Sequence, residues 1–236
     1  MRIVGLQKMT LLDYPGRVAC TVFLGGCNFR CPFCHNSELL DGSAEPVMDV
    51  QELLAFLEKR RGLLDGVCIT GGEPTLQKDL PELLSAIKAL GYAVKLDTNG
   101  YRPEILKDLV GQGLVDSVAM DVKNSPQRYA ETAGLPGLDI ARIEESLAFL
   151  LSGAVDYELR TTVAEPLHDR QAMEDMARWL EKISPNQKAR RFFIQPFVDR
   201  DTVIFAGLRT PEKPEIKAFQ GILANCAEQV SIRGNT

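Results

Sequence analysis

The stretch GGCNFRCPFCHN, residues 25–36, sets Cys27, Cys31 and Cys34 within eight residues in the spacing C-x3-C-x2-C. It follows VACTVFL (18–24), a β-branched apolar run that reads as a strand, so the thiols stand where a strand ends. Structural zinc closes its tetrahedron with four ligands. Here the local count is three, and no second C-x2-C follows. His35 directly neighbours Cys34, an awkward position from which to join it on the same ion. A four-iron cluster in its electron-transfer form takes one thiolate per iron. Three cysteines therefore leave one iron open to a substrate or cofactor, as a catalytic metal keeps an open position.

Working outward, further short strand-like runs lie at GVCIT (66–70), AVKLDT (93–98), DSVAMDV (116–122), YELRTTV (157–163) and RFFIQPF (191–197). Helical spacing fills DVQELLAFLEKR (49–60), DLPELLSAIKAL (79–90), RPEILKDLV (102–110), DIARIEESLAFLL (139–151), RQAMEDMARWLEKI (170–183) and TPEKPEIKAFQGILANC (210–226). Asp49 with Glu52, and Asp79 with Glu82, have capping-box spacing, and Leu53, Leu54, Phe56 and Leu57 would then face the sheet. Strand and helix alternating six times imply parallel strands with right-handed crossovers, in an open sheet or a barrel. NSPQRYAETAGLPGL (124–138) reads as a surface loop. Polar groups gather at the strand C-terminal ends, the edge where parallel α/β folds build their sites.

The 236 residues, 45% hydrophobic and 25% charged, suit one globular domain. A net charge of -5 without a basic run speaks against nucleic acid as a partner. The N-terminus lacks an apolar signal region and no run of about 20 apolar residues occurs, so a soluble cytoplasmic protein without membrane contact is expected. In a reducing compartment the six cysteines do not read as disulfides, and Cys20, Cys68 and Cys226 read as inert core residues.

The cysteine spacing, with Phe33 before the last cysteine, resembles the signature of the radical S-adenosylmethionine (SAM) superfamily. With CHN (34–36) it is most similar to the glycyl-radical-enzyme activating enzymes, and GLQKMTLLDYPG (5–16) further resembles the activating proteins of anaerobic ribonucleoside-triphosphate reductase. The resemblance implies an α/β fold, a partial (β/α)6 TIM-like barrel. It implies a single radical SAM domain over 1–236, with the core about 16–200 and a C-terminal helix and tail at 210–236. Cys27, Cys31 and Cys34 would hold a [4Fe-4S] cluster whose open iron is chelated by SAM; one electron cleaves SAM to methionine and a 5′-deoxyadenosyl radical that abstracts hydrogen.

By the same resemblance, Gly71, Gly72 and Glu73 of TGGEPTLQ (70–77) would receive the SAM amino group, and Asn36, Asp97 and Thr98 would lie beside SAM. Lys123 and Arg160 would approach it, Lys123 at its carboxylate, and Asp97 and Asp121 would lend oxygens to a monovalent cation. The plainer readings are a turn for Gly71-Gly72 and for Asn99-Gly100, a surface lysine paired with Asp121, and a salt bridge for Arg160. Relatives often carry a histidine where this chain has Gln195, which is the substitute candidate. The implied partners are a glycyl-radical enzyme, an anaerobic ribonucleotide reductase, and a reduced flavodoxin- or ferredoxin-like electron donor. Two alternatives stay open: a small-molecule radical SAM enzyme resembling 7-carboxy-7-deazaguanine synthase, and a non-catalytic zinc-binding module.

Overall fold

The computed structural model describes residues 1–40, 43–203 and 205–234. Among these, the strands are β1 (Ile3–Thr10), β2 (Ala19–Leu24), β3 (Gly66–Gly71), β4 (Ala93–Thr98), β5 (Ser117–Asp121), β6 (Asp156–Val163), β7 (Ala189–Pro196) and β8 (Ala227–Ile232). The helices are α1 (Val50–Lys59), α2 (Leu80–Ala89), α3 (Pro103–Gly111), α4 (Pro126–Ala133), α5 (Ile140–Leu151), α6 (Arg170–Ile183) and α7 (Lys213–Leu223). Strand order follows chain order. The six expected strands are β2 to β7, while β1 and β8 were not foreseen. No helix among the described residues is long and apolar enough to cross a membrane. Residues 235–236 of the expected tail lie outside the described residues.

The chain forms two compact units. Unit 1 holds Met1–Asn28, Glu38–Thr98 and Arg102–Ala119; unit 2 holds Phe29–Ser37, Asn99–Tyr101 and everything from Met120 onward. In unit 1, β2, β3 and β4 are parallel, and β1 pairs antiparallel with β2. Val67, Ile69, Val94 and Leu96 are fully buried, as parallel strands covered on both faces require. Helix α1 presents Leu53 and Leu57 to this core, whereas Leu54 and Phe56 are only half-buried and Arg60 lies over the Phe56 ring. Each fully buried leucine contributes about 2 kcal/mol by area.

In unit 2, β6, β7 and β8 are parallel. Their apolar face, with Leu159, Phe192 and Ile194, is buried, as are Leu147 of α5, Met173 of α6 and Phe219 of α7. The segment 124–138, expected to be loop, contains helix α4. It escapes a periodicity search because what it buries is Tyr129, Thr132 and Ala133, not a stripe of aliphatic residues. Gly134 ends it at φ +60°.

The two expected capping boxes fare differently. Asp49 accepts the Glu52 amide at 2.8 Å and Glu52 returns a bond to the Asp49 amide at 2.9 Å. Asp79 makes no cap bond, and its carboxylate lies 2.9 Å from the Met1 amino group instead. Asp49→Ala should therefore lower unfolding free energy by about 1 kcal/mol, and Asp79→Ala, which removes a half-exposed ion pair and no cap, by less. Urea denaturation of both variants checks the order.

Candidate active site

Unit 1 builds one group of the expected residues at the ends of β3 and β4. After β3 the chain runs hard against the end of β2: the Gly72 amide donates to Leu24 O and the Glu73 amide to Gly26 O, both at 2.8 Å. A Cβ on Gly71, which sits at φ +122°, would stand 2.3 Å from Leu24 O, and one on Gly72 would stand 2.0 Å from Gly26 O. Both glycines are thus demanded by backbone-to-backbone approach. The same contacts fix the segment leading into Cys27, whose amide donates to Leu40 O at 3.2 Å.

Glu73 is buried and caps a short 3-10 turn, Pro74–Leu76. Its Oε1 accepts the Thr75 amide at 3.1 Å, the Thr75 hydroxyl at 2.6 Å and the Thr98 hydroxyl at 2.8 Å. Two expected residues, Glu73 and Thr98, are thereby brought together, with Thr75 as a partner the sequence reading passed over. Asp97 points into a different environment. Its Oδ1 lies 2.5 Å from Lys95 Nζ and accepts from the Cys68 thiol at 3.6 Å. Cys68, expected to be inert packing, touches a candidate site residue. Lys95 was missed altogether; the available signal was a lysine inside an apolar strand two residues before Asp97, hence on its face.

Unit 2 holds the second group. Asp121, ending β5, receives Lys123 Nζ on Oδ2 and Arg160 Nε on Oδ1, each at 3.0 Å. Both plainer readings, a paired lysine and a salt-bridged arginine, describe this one cluster. Burial would raise the Asp121 carboxyl, but Arg160 and Lys123 outweigh it and hold the group well below the usual carboxylate range. Burial likewise opposes the Lys123 charge, and Asp121 lifts that ammonium above its ordinary value. One carboxylate oxygen thus meets an ammonium and the other a guanidinium.

Lys123 also lies over the ring of Phe33, 5.8 Å from its centroid. Its carbonyl accepts from His168 Nε2 at 2.8 Å, which leaves Nδ1 to accept the Ala164 amide at 3.2 Å. Burial lowers the His168 pKa, in keeping with a neutral ring. His168 thus holds the Lys123 backbone, and Tyr129 of α4 donates to Asp121 O at 3.3 Å.

Cys31 and Cys34 belong to this unit. The Cys34 amide donates to Cys31 O at 3.0 Å, and the Arg30 amide to Ala133 O at 2.8 Å. A Cβ on Gly134 would stand 2.1 Å from Arg30 O, so the end of α4 abuts the cysteine loop. Burial pushes the Cys31 thiol up to about 11 and raises Cys34, whose sulfur accepts the Asn36 amide; Lys123 pulls both the other way. Asn36 is half-buried, and Gln195 lies on β7 in register with Thr162 of β6. Among the described residues no three His, Cys, Asp or Glu side chains converge on a single-ion site.

A profile of the radical SAM superfamily matches residues 21–184. The chain belongs to the radical SAM superfamily. It is 31% identical over 98% of its length, and 95% of the relative's, to a Methanocaldococcus jannaschii protein named provisionally as a glycyl-radical enzyme activating enzyme. It is 33% identical to the pyruvate formate-lyase-activating enzyme of Clostridium pasteurianum over 52% of each chain. Among solved structures, a radical SAM methyltransferase from Sphaerobacter thermophilus aligns over 93% of this chain and 67% of its own, with a TM-score of 0.71 at 15% identity. The fold is the radical SAM α/β fold, and enzymes of this superfamily use a [4Fe-4S] cluster and SAM. The donor chemistry fits that cluster: Cys27, Cys31 and Cys34 are thiols, not disulfides.

Burial separates the remaining cysteines chemically. Burial pushes Cys20 and Cys226 up to about 12, so at pH 8 the reactive thiolate is scarce at both. Iodoacetamide should label half-exposed Cys27 in the apoprotein while sparing Cys20 and Cys226 until urea is added, as peptide mass mapping would show. Early labelling of Cys20 would contradict its packing.

Proposed function

We propose that this chain is a glycyl-radical enzyme activating enzyme whose partner is an anaerobic ribonucleoside-triphosphate reductase, with a reduced flavodoxin- or ferredoxin-like protein as electron donor. The observation that carries the reading is the similarity running over 95% of the length of the Methanocaldococcus jannaschii relative, which leaves little of either chain unmatched. The partner assignment is supported by GLQKMTLLDYPG, residues 5–16, most of which forms β1 and the turn after it.

Cys27, Cys31 and Cys34 would hold the cluster, which when bound supplies the electron for reductive cleavage of SAM. The protein's own work is binding and orientation. Glu73, its carboxylate fixed by Thr75 and Thr98, suits an amino group such as that of SAM. The Lys123–Asp121–Arg160 cluster, with its two cationic side chains, suits the SAM carboxylate. Phe33 shields the Lys123 ammonium on one side, and the His168 and Tyr129 bonds keep the backbone beneath it from moving.

Reconstituted anaerobically, the protein should be brown with a visible band that dithionite bleaches, and with SAM and reductant it should raise a glycine-centred electron paramagnetic resonance signal on the partner reductase. Cys31→Ala should lose the stable four-iron cluster and that signal together; full iron retention with unchanged spectra would overturn the ligand assignment. Glu73→Ala should weaken SAM binding about ten-fold while leaving iron content near wild type. Equal affinity by equilibrium dialysis would remove Glu73 from the SAM site.

A further inference from the structure

Asp97 and Asp121 were expected to lend oxygens to a monovalent cation, and the side chains around them do not fit that ion. Lys95 Nζ lies 2.5 Å from Asp97 Oδ1, with the lysine 1% and the aspartate 11% exposed. An ammonium carries the same single charge as Na+ or K+ and here meets a carboxylate oxygen that such an ion would use. An ammonium in contact with Asp97 Oδ1 opposes the approach of a second cation to that oxygen. In unit 2 Asp121 is matched by two cations, Lys123 and Arg160, each at 3.0 Å, and a further positive ion there would be repelled.

We propose that Lys95 is the resident counter-cation of Asp97, a positioning residue that holds this carboxylate aimed, so that SAM binding by this chain does not depend on added Na+ or K+. The proposal rests on the reading above that Asp97 and Thr98 line the SAM site. Lys95 stands inside β4, two residues before Asp97 and on the same face, so the backbone itself delivers the charge. The Cys68 thiol gives Asp97 Oδ1 a second donor from β3, the strand paired with β4. A carboxylate held in this way does not have to capture an ion before it can orient its neighbours.

The test measures SAM affinity of cluster-loaded protein by equilibrium dialysis in sodium, potassium and choline chloride at one ionic strength. Wild type should bind within about two-fold in all three salts. Lys95→Met should bind about ten-fold more weakly in choline and recover in potassium or methylammonium, whereas Lys95→Arg, which keeps the charge, should need no such rescue. Without cluster or SAM, potassium should raise the melting temperature of Lys95→Met and leave wild type unmoved. A wild-type protein that needs sodium or potassium to bind SAM overturns the proposal, and so does Lys95→Met with wild-type affinity in choline. Where Lys95→Met fails to fold, the wild-type salt series decides alone. Absence of SAM binding in every salt would bring down the SAM-site reading itself, and this inference with it.

Discussion

A carboxylate withdrawn from water has to meet cations or hydrogen-bond donors, and the three acidic residues at the strand ends meet that demand in three ways. Glu73 accepts one amide and two hydroxyls on a single oxygen. Asp97 meets a buried ammonium, and Asp121 meets both an ammonium and a guanidinium. Removing one partner of a buried pair typically costs about 3–5 kcal/mol, because the other charge is stranded. These groups are consequently fixed before any ligand arrives, which is what a site needs if binding is not to be spent on ordering its own side chains.

The fold supplies the places for them. Parallel strands put their C-terminal ends at one edge, and the residues just past that edge need support that strand pairing no longer gives. In unit 2 the support comes from elements with little hydrophobic signal of their own. Tyr129 of α4 bonds Asp121 O, Gly134 lets the end of that helix touch Arg30, and His168 closes on Lys123 O. In unit 1 it comes from two glycines that allow β2 and the turn after β3 to share backbone hydrogen bonds.

What the sequence disclosed follows the same division. The strands β2 to β7 and every helix except α4 were legible because their apolar residues recur at the period of the element. Strand β1 was not, since IVGLQKMT fully buries only Ile3 and Thr10, and neither was β8, where AEQVSI buries only Ala227. Helix α4 hides behind polar residues. The cysteine triplet and the Gly-Gly-Glu turn stood out because their spacing is rare, yet the reason for the glycines was not visible: the atoms they make room for belong to the chain's own backbone. Pairing is harder still to read. Thr75, Lys95 and His168 act through contacts that depend on which strands and loops become neighbours, and a lysine in an apolar strand is the only one of the three that violates a local rule.

The two lysine–aspartate pairs show how one strand rule gives two electrostatic outcomes. Residues two apart on a strand share a face, so Lys95 with Asp97 and Asp121 with Lys123 are each adjacent by geometry alone. Their order along the chain is reversed. On β4 the ammonium lies inward of the carboxylate and is 1% exposed, closed off from solvent inside unit 1. After β5 the ammonium lies beyond the carboxylate and is 13% exposed, and Arg160 adds a second cation to the same aspartate. Residue order decides how deep the ammonium sits: an ammonium inward of its aspartate can only orient it, whereas one beyond the strand end can also attract an incoming anion, and there Arg160 adds a second cation.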